Sequence, residues 1–219
     1  MSAEVVGPGP SRALLLDYGG VLTEPVDASF ARFERRLGLP PGRSFEVLVE
    51  ASRTKGGGPI GALERGEMPL AEFEVLLRDL LVEAGYRIAA DVDLLEGLFE
   101  AMRPAGGLWE LAAQVRAHGV RTGLLSNSWG FDVYPFEELE DHFDDLVLSG
   151  QVGLRKPDPA IYRLAAQRLG VAPDACVFVD DLERNVEVAS ELGMLGVHHT
   201  GDDAATRAAV LAALRIDAG

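Results

Sequence analysis

The chain has 219 residues, long enough to bury one hydrophobic core with a modest insertion, and its 47% apolar and 25% charged residues are typical of globular proteins. This composition indicates neither a disordered chain nor a fibrous repeat. With 35 acidic and 20 basic residues the formal net charge is −15. Such a charge repels a phosphate backbone, so we expect no nucleic-acid partner.

Cysteine usage and the distribution of apolar residues bear on location. The single cysteine, Cys176, allows no intrachain disulfide and is typical of a reducing compartment. The first residues contain an acidic residue and two prolines but no basic start followed by an apolar core, so they do not resemble a secretion signal. No apolar run approaches the ~20 residues that cross a bilayer. We therefore predict a soluble, cytoplasmic protein without a membrane partner.

The first part of the chain predicts one strand followed by a block of helices. The apolar run 12–17 ends in Asp17 and a Tyr-Gly-Gly turn, which predicts a buried strand. From about Pro25 to Met102 the apolar residues recur with helical spacing. The segment 55–59, Lys-Gly-Gly-Gly-Pro, should interrupt this block, because no regular element tolerates it.

From Arg103 onward, predicted helices and strands alternate. The helices are expected at 108–118, 159–170, 184–192 and 204–214, and the strands at 120–125, 146–148, 176–179 and 194–198. This alternation with short connections predicts a parallel sheet covered on both faces. We therefore predict an α/β fold, with a Rossmann-like core made of residues 1–24 and 103–219 and a helical cap, residues 25–102, inserted after the first strand.

Polar side chains follow the predicted strands, at the edge where ligands bind in open parallel sheets. These residues are Asp17, Ser126, Asn127, Asp180 and Asp181, with Lys156 in the loop after the third strand. Each also has an ordinary structural interpretation. Asp17 could initiate a turn, Ser126 and Asp181 could cap helices, and Lys156 could lie on the surface.

Four segments, in order, resemble the four motifs of the haloacid dehalogenase superfamily. They read LLLDYGGVLT, GLLSNS, LRKPDPAIY and VFVDDLERN. The stretches 102–130 and 150–197 are also similar to the N-terminal phosphatase domain of soluble epoxide hydrolases, and residues 25–102 resemble the helical cap of the superfamily. One motif alone would be weak, whereas four in register, each after the expected element, form a specific signal.

The resemblance implies a Mg²⁺-dependent hydrolase that acts on a small phosphomonoester through an aspartyl-phosphate intermediate. Asp17 would be the nucleophile, and Lys156 would neutralise the nucleophile and the phosphoryl oxygens. Ser126 and Asn127 would donate hydrogen bonds to those oxygens. The implied Mg²⁺ ligands are Asp17, the carbonyl of Gly19, Asp181 and Asp180.

One catalytic carboxylate of the family pattern is missing. Most phosphatases of the superfamily carry a second aspartate two residues after the nucleophile, which protonates the leaving group and later activates water, and this chain has Gly19 there. General acid–base catalysis is worth ~10²–10⁴-fold, or roughly 3–5 kcal/mol. A substrate with a good leaving group would need little protonation. Glu24 is a candidate surrogate, although a solvated loop carboxylate is the more ordinary interpretation.

Other interpretations stay open at this point. A metal-independent dehalogenase would use the same nucleophile, but the pair Asp180-Asp181 argues against it, because adjacent carboxylates repel unless a cation is present. A non-catalytic binding protein that lost the acid at position 19 is a third possibility. We expect Asn185 to orient Asp181, Trp129 to line the crevice or pack under the cap, and the segments 55–61 and 66–69 to set specificity. A monomer and a homodimer are both compatible with the sequence.

Overall fold

The computed structural model describes residues 13–130 and 134–217, so position 12 of the predicted first strand lies outside it. Five parallel strands form one sheet in the order β3-β2-β1-β4-β5. The strands are β1 (Ala13–Leu16), β2 (Arg121–Ser126), β3 (Asp145–Leu148), β4 (Cys176–Asp180) and β5 (Leu195–His198). Every residue of the central strand β1 is buried, as expected for a parallel strand covered on both faces. The predicted α/β class is confirmed.

Helices cover both faces of the sheet. In chain order they are α6 (Gly107–Ala117), α7 (Phe136–His142), α8 (Ser149–Val152), α9 (Pro159–Arg168), α10 (Glu183–Glu191) and α11 (Asp203–Leu214), after the five helices α1 to α5 of the insertion. Side chains alternate across β1: Leu14 and Leu16 join a cluster with residues of α6 and α11. Ala13 and Leu15 join a second cluster, with residues of α9 and α10. This period of two divides the core into two layers.

The insertion consists of helices that share a hydrophobic cluster of their own. They are α1 (Val26–Leu37), α2 (Arg43–Ala51), α3 (Gly58–Glu64), α4 (Leu70–Glu83) and α5 (Leu94–Phe99). Phe33, Phe73 and Leu77 lie at the centre of this cluster and are 0–1% exposed. The separate cluster supports the proposed division into a core and a cap at residues 25–102. Two antiparallel segments connect them, joined by hydrogen bonds from the Glu24 amide to Arg103 (2.8 Å) and from the Ala105 amide to Leu22 (2.9 Å).

Two details differ from the predicted elements. Only the first part of the segment 55–59 interrupts the helices, because α3 begins at Gly58 and has Pro59 in its first turn. Proline suits that position, since its fixed φ is helical and its missing N–H would have no partner there. The short helices α7 and α8 were absent from the predicted pattern. None of the helices within 13–130 and 134–217 is long and apolar enough to cross a membrane.

Candidate active site

The parallel strands bring the polar residues at their carboxyl ends to one edge of the sheet. Asp17 follows β1, Ser126 ends β2, Asp180 ends β4, and Asp181 comes next in the chain. Asp17, Ser126, Asn127, Lys156 and Asp181 line one cavity of about 720 Å³, which also has walls from the cap. The edge predicted from the sequence therefore borders a cavity that residues of the insertion also line.

Lys156 lies at the centre of this group and is 1% exposed. Its Nζ is 2.7 Å from Oδ1 of Asp17 and 2.6 Å from Oδ2 of Asp180. Burial lowers the pKa of Lys156, but the two carboxylates more than offset this, so the pKa is raised above its ordinary value. The ammonium group therefore stays charged and holds Asp17 in place.

Three carboxylates crowd together beside this lysine. Asp17, Asp180 and Asp181 each offer an oxygen that lies within 4.8 Å of the other two. Burial raises the pKa of Asp17 to about 8, with Lys156 opposing the shift and the other two carboxylates adding to it. Burial and Asp180 likewise raise the pKa of Asp181 to about 6. Such repulsion is relieved when a cation shares the cluster, and carboxylate oxygens are the ligands that Mg²⁺ prefers.

The backbone is shaped to admit Asp181 to this cluster. Gly20 has a φ of +73°, and a Cβ there would collide with the Asp181 carboxylate. A residue with a side chain would therefore be disfavoured twice, by its backbone conformation and by lack of space. The residues present thus fit a divalent cation, with Gly19 lining the same cavity.

The three carboxylates are not equally available to a cation. Oδ1 of Asp180 accepts hydrogen bonds from the Leu182 amide and from Nδ2 of Asn185, both at 2.9 Å, while its Oδ2 is bound by Lys156. Asn185 thus contacts Asp180, and the predicted orientation of Asp181 by Asn185 is wrong. Asp180 mainly fixes Lys156, and Asp17 and Asp181 offer the less engaged oxygens.

The two candidate phosphate-binding residues differ in their contacts. Oγ of Ser126 lies 2.9 Å from the hydroxyl of Tyr134, a buried neighbour that the motifs did not indicate. The side chain of Asn127 brackets the backbone of Lys156, accepting from its amide at 2.8 Å and donating to its carbonyl at 3.1 Å. A longer contact of 3.4 Å joins Nδ2 to Glu64. In this arrangement Asn127 positions Lys156, whereas the motif predicted donation to phosphoryl oxygens.

The space beside Gly19 is occupied by an apolar residue of the cap. A Cβ on Gly19 would lie 3.3 Å from Cγ2 of Val26, in the first turn of α1. Glu24, the candidate surrogate acid, has its Oε2 2.6 Å from Arg32, so its carboxylate is engaged in an ion pair and is not a free loop carboxylate. The structure therefore places the Glu24 carboxylate beside Arg32, and Glu24 does not line the cavity that contains Asp17.

A buried carboxylate of the cap, Glu64, reaches the core and was not singled out from the sequence. It is 7% exposed, and its Oε2 lies 2.6 Å from Nε of Arg155. Burial raises the pKa of Glu64, although Arg155 lowers it. Its Oε1 accepts from Nε1 of Trp129 at 3.2 Å. Glu64 lies between the segments 55–61 and 66–69 that were expected to face the substrate, which is the sequence signal that could have found it.

Trp129 satisfies both of its proposed interpretations. Its ring packs edge-on against Phe73 of the cap, with centroids 5.3 Å apart, and against Phe30 at 6.1 Å. It also lines the cavity. The indole therefore joins the core to the cap and forms part of the wall that a substrate would contact.

Comparison with known proteins identifies the family. A family model described as haloacid dehalogenase-like hydrolase matches residues 12–193. The chain belongs to the haloacid dehalogenase-like hydrolases. Pig bifunctional epoxide hydrolase 2 is 30% identical over 213 residues, which make up 90% of this chain but only 38% of that protein's length. The phosphorylated carbohydrates phosphatase of Thermotoga maritima is 41% identical over 200 residues, 87% of either protein.

A solved structure shares the fold of this haloacid dehalogenase-like hydrolase. It is a family enzyme from Bacteroides thetaiotaomicron in complex with magnesium and inorganic phosphate, 23% identical, with a TM-score of 0.65 over 88% of this chain and 96% of that one. The resemblance inferred from the four motifs is confirmed, and the chain is a hydrolase of this family. At this identity the structural likeness establishes the fold alone.

Proposed function

We propose that this hydrolase is a Mg²⁺-dependent phosphatase that cleaves a small phosphomonoester through an aspartyl-phosphate on Asp17. The observation that carries the proposal is the position of Lys156. Its buried Nζ lies 2.7 Å from Oδ1 of Asp17, which is one of the three clustered carboxylates. An anionic nucleophile needs compensating positive charge before it approaches an anionic phosphoryl group. The phosphatase relatives support this reaction class.

The residues of the chain have distinct parts in the proposed reaction. An oxygen of Asp17 attacks phosphorus, forming the acyl phosphate as the bond to the leaving alcohol breaks, and water then hydrolyses the intermediate. Lys156 orients Asp17 and neutralises charge on the phosphoryl oxygens, while Ser126 donates to them. Mg²⁺, held by Asp17, Asp181, the Gly19 carbonyl and Asp180, would supply further charge neutralisation. Asn127 keeps the Lys156 backbone in place.

Phosphate release from a panel of phosphomonoesters, with Mg²⁺ and with excess EDTA, tests the proposal. We expect release with Mg²⁺ only, and none from the Asp17→Asn protein in either condition. Asp79→Asn, an exposed change on α4, is the matched control and should keep full activity. Unaltered release from the Asp17→Asn protein would remove Asp17 from the mechanism. Halide release from a haloacid in EDTA would favour the dehalogenase alternative.

The remaining properties are proposals of a coarser kind. The substrate is taken to be a small phosphorylated molecule, since the relatives include phosphatases and the cavity is bounded by the cap. The net charge of −15 disfavours a nucleic-acid partner. A cytoplasmic location rests on the use of one buried cysteine, Cys176. Monomer and homodimer both stay compatible with the chain.

A further inference from the structure

The wall that the cap contributes to the cavity is apolar and rich in aromatic rings. Its members are Val26, Phe30, Phe45, Val49, Ile60, Leu98, Phe99 and Met102, joined by Trp129 from the core. Phe45 is 43% exposed, and its ring packs edge-on against Phe30 with centroids 5.1 Å apart. An organic group bound above Asp17 would therefore contact mainly hydrocarbon and aromatic faces.

Two polar side chains of this wall, Glu64 and Ser29, are already engaged by the protein. The Glu64 carboxylate is held by Arg155 at 2.6 Å and by Trp129 at 3.2 Å. The Ser29 hydroxyl accepts from Arg32 at 3.3 Å and donates to the Pro25 carbonyl at 3.5 Å. Against the apolar members of the wall and beside these two side chains, a polyhydroxylated group would lose water hydrogen bonds without replacing them, which is unfavourable. The wall selects an apolar organic group.

The surroundings of Gly19 independently restrict which alcohols can serve as the leaving group of the substrate. A Cβ at position 19 would lie 3.3 Å from Cγ2 of Val26, so an acid there would require the Val26 side chain to shift. With no acid at position 19 to protonate it, the leaving oxygen departs as an anion. Phenols, with a pKa of ~10 as in tyrosine, form such anions far more readily than aliphatic alcohols, whose pKa is much higher.

We propose that the substrate is the phosphate monoester of an apolar, phenol-like aromatic alcohol. This inference rests on the proposed phosphatase function. As an oxygen of Asp17 bonds to phosphorus, the bond to the aryl oxygen breaks, and its electron pair leaves with the phenolate, which takes a proton from water. The oxygen of a second water then bonds to phosphorus, the bond to Asp17 breaks, and the carboxylate is restored as phosphate leaves. The proton lost by the second water passes to solvent and replaces the proton that the phenolate took from the first water.

Three esters separate the two components of the inference in the wild-type protein with Mg²⁺. Phenyl phosphate is aromatic and apolar, cyclohexyl phosphate has a ring of the same size on an aliphatic alcohol, and glucose 6-phosphate is aliphatic and polar. We expect kcat/KM to be at least ~10²-fold higher for phenyl than for cyclohexyl phosphate, the range that a missing acid implies. Glucose 6-phosphate should have a KM at least about tenfold above that of cyclohexyl phosphate, since it forfeits apolar contacts.

Variants at the missing acid test the cause of this preference. Gly19→Asp combined with Val26→Ala supplies the carboxylate and the room for it, and should narrow the phenyl-to-cyclohexyl ratio at least about tenfold. Val26→Ala alone should leave the ratio unchanged. Asp27 is an exposed acid that also lines the cavity. Asp27→Asn should not alter the ratio either, and a selective loss of cyclohexyl phosphate turnover would identify Asp27 as a proton donor and overturn the leaving-group argument.

The outcomes distinguish this inference from the proposed function. Equal kcat/KM for phenyl and cyclohexyl phosphate, or a preference for glucose 6-phosphate, overturns the substrate class and leaves the phosphatase intact. Release from other phosphomonoesters of the panel but from none of these three also overturns the substrate class alone, whereas no release from any ester, with or without Mg²⁺, overturns the phosphatase itself. The wild-type series decides between these results even if the double variant does not fold.

Discussion

In the metal-free protein, replacing Asp17 with asparagine should reduce the loss of stability that accompanies a rise in pH. Burial raises the pKa of Asp17 from 3.8 to about 8 in the folded state. Between these two values the unfolded chain has released the proton and the folded protein retains it. The folded state therefore binds more protons, and the free energy of unfolding falls as pH rises through this window.

The size of the effect follows from the width of that window. A group protonated in only one state changes the free energy of unfolding by ~1.36 kcal/mol per pH unit, so two units give at most ~2.7 kcal/mol. The pKa of about 8 already includes the opposing effect of Lys156, and we expect about 1–2 kcal/mol between pH 5 and pH 7. For a chain of this size that corresponds to a difference of roughly 2–8 °C in Tm.

Thermal unfolding in EDTA, followed by circular dichroism at pH 5 and pH 7, measures this difference. The wild-type Tm should fall more than that of the Asp17→Asn protein, while Asp79→Asn should behave as wild type. Mg²⁺ should raise the wild-type Tm by binding the folded state and have a smaller effect on the Asp17→Asn protein. If Tm fell equally for wild type and Asp17→Asn between pH 5 and pH 7, the pKa of Asp17 would not be raised in the folded state.

Three further changes probe the contacts around Asp17. Lys156→Met should lower kcat by ~10²–10³-fold in steady-state assays, and a fully active variant would contradict this. It should also lower the free energy of unfolding in urea by ~3–5 kcal/mol, because two buried carboxylates lose their partner. Asn185→Ala should weaken Mg²⁺ binding by ~10–100-fold in calorimetric titration, and unchanged affinity would argue against its support of Asp180. Glu64→Gln and Arg155→Met should show a coupling of ~0.5–3 kcal/mol in a double-mutant cycle by urea unfolding, whereas additive effects would mean that their ion pair contributes nothing.

The core and the cluster of carboxylates could be predicted from local patterns. An apolar strand that ends in a charged residue places that residue at a defined edge, and in a parallel sheet all such ends lie on the same side. Asp17 and the pair Asp180-Asp181 meet for this reason, since β1 and β4 are direct neighbours in the sheet. The same reasoning located Ser126 on the other side of β1.

The partners of these residues could not be predicted, because they depend on side-chain directions and on packing between distant segments. Asn185 lies in the first turn of α10, and whether it reaches Asp180 or Asp181 depends on where that helix begins. Glu64 meets Arg155 only because the cap closes over the core. The periodicity of an amphipathic helix predicts which face is buried, but it does not predict which residue a charged side chain will contact.

The replacement of a carboxylate by Gly19 has consequences beyond the loss of a proton donor. A fourth carboxylate would enter a group in which the pKa of Asp17 already reaches about 8, so it would add repulsion wherever no cation compensates it. It would also place charge against the apolar Val26, 3.3 Å from its Cβ. Glycine at this position and an apolar residue above it are therefore mutually consistent. On the proposed phosphatase mechanism, the missing acid, worth ~10²–10⁴-fold, would slow only substrates whose leaving oxygen needs a proton.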